Sequence, residues 1–584
     1  MTSVATTEDV HGDRAGFRLD EEAGPVPLTS APTIGAALLE LAERDPDRPV
    51  IYVEEKAGEP IRLTAAELAE RAAAAATALA EHGVKPGDRV GICLDTSVDA
   101  HTAIHGCFLL GAVPFVSEPP LATMRRQRWA GRLRLLFDRA GAKVLVASPA
   151  FRDAVAEPCA EAGVTIVEPP FEGGYLPGSV RASADDIALL QFTSGTTGNS
   201  RGVVLTHDAI MANVRAIGER AFREGDLFVS WLPLHHDMGM IGLNLAPLLH
   251  GLPVVSMPPL SFALRPERWL WTMHRYRGTF TSAPNFAYQL CVTKVPDEKL
   301  AGLDLSSWRV AGNGAEVVNA ATLRAFTDRM RPYGYRDRAM MPCYGMAEVV
   351  LAASMNMPGN PLTTLTIRRD VLAATGEAVP AGPDDPDRQE LVSSGPPMSG
   401  TEIRVVDAEG VEVPDRTQGD ILVSSPSLMS GYYRQPEETA KVLKDGWLHT
   451  GDQGFRDGEH LYVTGRVKDV VIIAGRNYHP YVFEGAAANA EGVQPGAVAA
   501  VGCPDAELGT EALTIVAESR VHADQHQAEL LAKSIVDLVT AETGLRPDRV
   551  EIVPRGTLPK TPSGKLQRPQ IVQSLLDGTL VRRS

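Results

Sequence analysis

The chain has 584 residues, a formal net charge of −17 and six cysteines, with 44% hydrophobic and 22% charged residues. That length exceeds one ordinary hydrophobic core, so two or more domains are expected, and the acidic balance, with no dense Lys/Arg cluster, argues against nucleic acid as a partner. The cysteines have no CxxC or metal-type spacing, no apolar run reaches the roughly 20 residues of a membrane helix, and the polar start "MTSVATTEDVHGDRAGFRLDEE" lacks a leader's apolar stretch, so a cytoplasmic protein with reduced thiols is expected.

Residues 1–30 read as a disordered or extended tail. "LTAAELAERAAAAATALAEHGV" then has helix-forming composition, and "DRVGICL" follows the "KPGD" turn as a short buried strand. The alternation continues through "AIHGCFLLGAVPFVSEPP", "GAKVLVAS" and "GLPVVSM", which predicts an α/β fold with mixed, mostly parallel sheets. Residues 356–396 are rich in Pro, Gly, Asp and Thr and read as an insertion, helical only near "RDVLAATG". "TEIRVVDAEGVEVPD", "GDILVSS" and "HLYVTGR" predict a small β subdomain. From 467 the order is strand, helix, strand, strand, helix, strand and a polar tail, a small α+β domain. The expected division is therefore 31–466 for a large domain and 467–584 for a mobile one, joined by a hinge.

"QFTSGTTGNSRGVVLTH", residues 191–207, sits between strand-like "IALLQFT" and "GVVLTH", whereas a Walker loop must open into a helix. It reads as a hairpin loop. Ser194, Thr196 and Thr197 offer hydroxyl donors, and Gly195 and Gly198 let backbone N–H groups approach an anion. A Gly/Ser/Thr surface turn is the competing reading, and distant residues must decide between them.

Four further signatures follow in order, "CYGMAEVV", "WLHTGDQGF", "LYVTGRVKD" and "LPKTPSGKLQR". Together the five motifs resemble the acyl-activating, adenylate-forming superfamily over residues 30–575. "WLPLHHDMGMIG", "SAPNFAY", "LSSWRVAGNGAE", the Pro-rich segment after Tyr344-Gly345 and "AGRNYHP" are similar to its fatty acyl-AMP ligase branch. The resemblance implies an enzyme using ATP and Mg2+ to activate a hydrophobic carboxylic acid as acyl-AMP. It also implies transfer to a carrier-protein thiol or a partner enzyme, with an acid:CoA ligase as the alternative.

By the same resemblance, Thr193, Ser194, Gly195, Thr196, Thr197 and Gly198 would hold the β- and γ-phosphates, and Arg201 stands where the family often has lysine. Glu348 would hold Mg2+, with a helix N-terminal acid as the bland alternative. Tyr344, Gly345 and Met346 would flank the adenine, and Asn313, Gly314 and Ala315 would line its pocket. Asp452 and Arg466 would take the ribose hydroxyls. Lys565 would be the catalytic lysine, with Lys560 the nearby decoy, and Lys468 the hinge. His236 would gate the acid's carboxylate, with a structural histidine as the competing reading, and Asn285, Phe286, Tyr288 and Gly345 would contact the acyl group. "RNYHP" carries Tyr478 and His479 in the reverse of the branch's order. The insertion at 356–396 would pack on the C-terminal domain and restrain the rearrangement that coenzyme A needs.

Overall fold

The helix Ala65–Glu81 begins where the sequence supplies its own cap: Glu67 N donates to Thr64 Oγ1 at 3.2 Å, and Thr64 N donates to Glu67 Oε2 at 2.8 Å. This reciprocal pair is a capping box. The next helix, Val98–Leu110, is buried at every position except Asp99 and Leu110 and ends at Gly111, whose φ is +75°. A helix buried nearly all round belongs inside a layered core, not on a surface. The computed structural model describes residues 26–54, 60–120, 126–173, 182–193, 200–385, 387–473, 476–505, 510–560 and 565–580.

The strands read from "DRVGICL" and "GAKVLVAS" are neighbours in a parallel sheet of order Val113–Val116, Arg89–Cys93, Val144–Ala147, Thr165–Val167. A second sheet has the order Ala352–Met355, Met340–Gly345, Val310–Asn313, Phe280–Ala283, Phe228–Ser230, Val254–Ser256, Pro49–Val53, Ile61–Thr64. Its inner pairs are parallel and its two outermost pairs antiparallel. Strands such as Phe228–Ser230 and Val254–Ser256 are buried throughout, as strands covered on both faces must be. The predicted α/β class with mostly parallel sheets is what the chain adopts.

The expected β subdomain is also present, as an antiparallel sheet built from Glu402–Val406, Gly419–Ser424, Trp447–Asp457, Leu443–Lys444 and His460–Arg466. Beyond residue 467 the strands Val493–Asp505, Thr510–Ser519 and Arg549–Val553 form a separate sheet. Two hydrophobic clusters fill it, one around Phe483, Ile515 and Ile535, the other around Val516, Val553 and Ile571. The polar tail expected after "RVEIVP" is a correction: Arg568–Leu576 is a helix, and Leu558, Ile571, Leu575 and Leu580 are core residues. Ile571 and Leu575 are one helical turn apart, a spacing hidden by the surrounding Pro, Ser and Lys. No helix among the described residues is long and apolar enough to cross a membrane.

The segment 356–396 is more ordered than its composition suggests. Thr364–Arg368 pairs antiparallel with Arg388–Val392, and between them runs the helix Arg369–Thr375. This unit touches residues beyond 467 directly. Arg369 is nearly buried and donates to the carbonyls of Glu542 at 3.1 Å and Thr543 at 2.6 Å while pairing with Asp387 at 2.7 Å. Those carbonyls end the helix Gln525–Thr543, where a cation is favoured by the helix dipole. Gln389 Nε2 donates to Tyr481 OH at 2.6 Å, and Ala373 packs on the C-terminal core. Charged hydrogen bonds of this kind contribute about 1.5–3 kcal/mol each. R369A should therefore speed amide exchange at residues 538–545 by about tenfold or more, measured by hydrogen–deuterium exchange mass spectrometry; unchanged exchange there would show that the contact does not hold.

Candidate active site

The strands Ile187–Thr193 and Arg201–Thr206 pair antiparallel, closing at Thr193 opposite Arg201. The hairpin inferred from "QFTSGTTGNSRGVVLTH" is thus formed. Its loop residues Ser194, Gly195, Thr196, Thr197 and Gly198 lie outside the described residues. At its mouth Ser200 Oγ donates to Thr193 O at 2.9 Å, and Thr193, Ser200 and Arg201 line a cleft of about 1900 Å³.

That cleft gathers residues from both ends of the chain. Asp452 and Arg466 stand opposite one another on paired antiparallel strands, so their side chains meet by register, Arg466 Nε lying 3.0 Å from Asp452 Oδ1. Tyr344, at the end of the strand Met340–Gly345, donates its hydroxyl to Asp452 Oδ2 at 2.8 Å. Burial, then the Asp452 charge, push this phenol well up, so it remains a donor. Asp452 and Tyr344 can exchange this mutual bond for vicinal hydroxyls and a flat ring.

Close backbone packing builds the next turn. A side chain at Gly345 would place its Cβ 1.7 Å from the Leu351 carbonyl oxygen, so only glycine fits there. Glu348 lies in the turn Ala347–Val349, followed by Val350 at φ +68°, a strained position for a β-branched residue. Tyr432 OH donates to Glu348 Oε1 at 2.8 Å, and Met429 N donates to Glu348 O at 2.8 Å. Met346 and Ala347 also face the cleft.

On the other wall His236 Nδ1 lies 2.6 Å from Asp237 Oδ1. Burial resists ionisation of Asp237, but His236, Lys565 and the Met238 N–H together hold its carboxyl below the usual range. Burial of its ring pulls the adjacent His235 down to about 3, so it is neutral where it lines the cleft. Asn285 is fixed by Nδ2 donating to Val317 O at 2.8 Å and Oδ1 accepting from Asn319 N at 3.2 Å. Phe286 faces the cleft edge-on to Trp231.

Three expected wall residues are corrected. Tyr288 is fully buried, donates to Gly312 O at 2.7 Å and packs edge-on against Trp269 and Phe326; about half a turn of helix carries it into the core while Phe286 and Gln289 face the cleft. Asn313 and Gly314 stand behind the wall. Asn313 Nδ2 donates to Ala283 O at 3.2 Å, and Gly314 backs onto Cys343. Their neighbours Gly312, Ala315 and Glu316 form the surface, Ala315 with φ +71°.

Lys565 enters this cleft from the far end of the chain. Burial, then Arg466, pull its ammonium down from the usual lysine range, while Asp237, Glu316 and Asp452 oppose them. Lys560 lines the same cleft, but its Nζ is engaged, donating to Gly496 O at 2.6 Å. Lys468 lies in the short turn Val467–Asp469, and its neighbour Asp469 pairs with Arg568 at 3.0 Å. Tyr478 joins the C-terminal core. His479 packs so tightly beneath Gly465 that a Cβ there would come within 2.2 Å of its Nδ1.

Asp237, Glu316 and Tyr432 complete the constellation without having been singled out as catalytic. "HHDMG" and "NGAE" held the signals for the first two. Tyr432 lies in "SGYYRQPEET", which offered no chemical cue until the fold set it against Glu348.

The family model for the AMP-binding enzymes matches residues 38–433. The long-chain-fatty-acid–AMP ligase FadD26 of Mycobacterium marinum is 32% identical, over 88% of this chain and 91% of that protein. The medium-chain-fatty-acid–[acyl-carrier-protein] ligase JamA of Moorena producens is also 32% identical, over 89% and 90%. A solved structure from the fatty acyl-adenylate ligases of E. coli and L. pneumophila superposes with a TM-score of 0.87 at 31% identity, covering 94% of this chain and 99% of that one. The chain belongs to the AMP-binding, adenylate-forming enzymes, in their fatty acyl-AMP ligase branch.

Proposed function

We propose that this chain activates a fatty or other hydrophobic carboxylic acid with ATP, forming acyl-AMP and pyrophosphate, and passes the acyl group to a carrier-protein thiol. The observation that carries the reading is the convergence of Lys565 with Asp237, Glu316, Asp452 and Arg466 in one cleft beside the hairpin. In the reaction a carboxylate oxygen bonds to the α-phosphorus while the bond from that phosphorus to the bridging oxygen breaks, and pyrophosphate leaves with the electron pair. No protein nucleophile is needed; positioning and charge neutralisation supply the catalysis.

Asp452 and Arg466 hold the ribose, Tyr344 lies along the adenine, and the hairpin grips the β- and γ-phosphates. Lys565 neutralises the charge shared between the acid's carboxylate and the α-phosphate oxygens. His236, fixed by Asp237, orients the carboxylate, and Phe286 offers apolar surface to the chain behind it. Glu348 is a single hard carboxylate oriented by Tyr432, and this donor set fits Mg2+ whose remaining ligands are phosphate and water oxygens. When bound, Mg2+ would supply charge neutralisation on the phosphates.

The acceptor follows from the insertion. Its bonds to Glu542, Thr543 and Tyr481 hold the C-terminal unit in the arrangement that keeps Lys565 in the cleft. Rotation about Lys468 breaks these contacts, and a carrier protein, which brings its own docking surface, can offset that cost where free coenzyme A cannot. The similarity to a carrier-protein ligase supports this choice.

K565A should lower acid-dependent pyrophosphate exchange by about a hundred- to a thousandfold, a loss in the range of removed electrostatic stabilisers, with ATP affinity by calorimetry changed less than about threefold. Wild-type-like exchange would sink the assignment. Lys565 must be protonated to act and its pKa is lowered, so adenylation should fall as pH rises, starting below the usual lysine range. In K565R, whose guanidinium stays charged, that alkaline limb should disappear from the pH–rate profile. The wild type should yield acyl-AMP and carrier thioester but little acyl-CoA by mass spectrometry, and R369A should raise the acyl-CoA share. Efficient acyl-CoA formation by the wild type would instead make it an acid:CoA ligase.

A further inference from the structure

Arg201 follows the phosphate-side loop directly, which makes a phosphate contact the obvious role for its guanidinium. Its neighbours point elsewhere. Nη2 lies 2.8 Å from Glu438 Oε2, and Cζ lies 4.9 Å from the centre of the Tyr432 ring. The hydroxyl of that same tyrosine donates to Glu348 Oε1 at 2.8 Å. Side chains at 201, 432 and 348 therefore form one connected line.

The backbone keeps that line in register. The short strand Gly431–Tyr432 pairs antiparallel with Arg201–Thr206, placing Tyr432 opposite Val203. Tyr433 N donates to Gly202 O at 2.8 Å and Ser430 N to Val204 O at 3.0 Å. At the other end Met429 N donates to the Glu348 carbonyl at 2.8 Å. One segment, 429–433, thus ties the hairpin to the Glu348 turn.

We propose that Arg201 is a positioning residue: stacked on Tyr432 and anchored by Glu438, it fixes the hydroxyl that orients the Glu348 carboxylate, and it is not itself a phosphate ligand. The proposal rests on the reading of Glu348 as the protein ligand of Mg2+. It explains the residue type, because a guanidinium can present a flat face to a ring and a fork to a carboxylate at once, whereas a lysine ammonium lacks the flat face.

The test compares Y432F, R201M, their double variant, R201K and E348Q in the full chain. Mg2+ affinity is measured by calorimetry with a non-hydrolysable ATP analogue bound, the apparent Mg2+ constant by pyrophosphate exchange, and analogue affinity without metal. Y432F, which keeps the ring, should weaken Mg2+ by about tenfold, as expected for a hydrogen bond to a charged group. R201M should weaken it about three- to tenfold, and the double variant should be no worse than Y432F, because the residues act in one line. Metal-free analogue affinity should stay within about twofold in all three. R201K should fall between R201M and wild type.

A loss of metal-free analogue affinity of about tenfold in R201M, or an equal effect of R201M on Mg2+ with and without Y432F, would show a direct phosphate contact and overturn the proposal. Wild-type behaviour of R201K would overturn it too, since the stack would then be unnecessary. E348Q separates the two levels. If E348Q leaves Mg2+ affinity unchanged, the reading of Glu348 fails; if E348Q weakens it and Y432F does not, only the Arg201–Tyr432 line fails. Y432F alone decides the point should R201M not fold.

Discussion

A carboxylate and a triphosphate repel each other, and forming a bond between them requires positive charge inside a space that excludes water. In a chain of net charge −17 that charge cannot come from a general basic surface. It is concentrated on Lys565 and Arg466, each held among carboxylates that keep it ionised: Asp452 for Arg466, and Asp237, Glu316 and Asp452 for Lys565. Low dielectric strengthens these attractions and also makes an unpaired buried charge costly. The cationic groups are therefore coupled to their partners before any substrate arrives, and on the proposed reading the same pairs would organise the ribose and carboxylate ends of the cleft.

The coupling has a geometric consequence. Arg466 ends a strand of the large unit, and Lys565 belongs to the segment beyond the Val467–Asp469 turn. On the proposed role of Lys565, its charge would act only while that segment stays against the large unit. Arg568 binds both Asp469 and Glu484, so the residue after Lys468 is fastened to the C-terminal segment, and a hinge at Lys468, as proposed, would have to bend at the backbone around 467 and 468. The insertion adds further contacts through Arg369 and Gln389. If these contacts are what must break for the C-terminal segment to move, the two arrangements would differ by a small set of hydrogen bonds, the condition under which a partner's binding can tip the balance.

Much of this was legible in the sequence because it depends on local order. The alternation of short apolar runs with helical stretches specified the α/β class, and the hairpin followed from strands flanking a glycine-rich loop in place of a helix. The positions of Asp452, Arg466 and Lys565 followed from motif resemblance. Legibility failed where the outcome depends on which way a side chain faces. Asn313 and Ala315 are two residues apart, yet one is buried against Ala283 and the other faces the cleft. Phe286 and Tyr288 divide in the same way. Tyr432 was illegible for a different reason: its partner Glu348 is distant in sequence, and only the pairing of Gly431–Tyr432 with the hairpin brings the two together.

Backbone strain marks where the fold gives way to the site. Val310–Asn313 and Met340–Gly345 are adjacent parallel strands, and ligands of open α/β sheets bind beyond the carboxyl ends of such strands. Just past those ends lie Ala315 at φ +71° and Val350 at φ +68°, left-handed positions that cost non-glycine residues of order 1–3 kcal/mol. Gly345 lies between them in a contact that no side chain could occupy. The strained turns bring backbone and short side chains to the cleft surface and set Glu348 toward Tyr432. That orientation is held by hydrogen bonds to residues 429 and 432, not by intrinsic backbone preference. A site built this way is arranged before the nucleotide binds, and the reaction need not spend binding energy on ordering it.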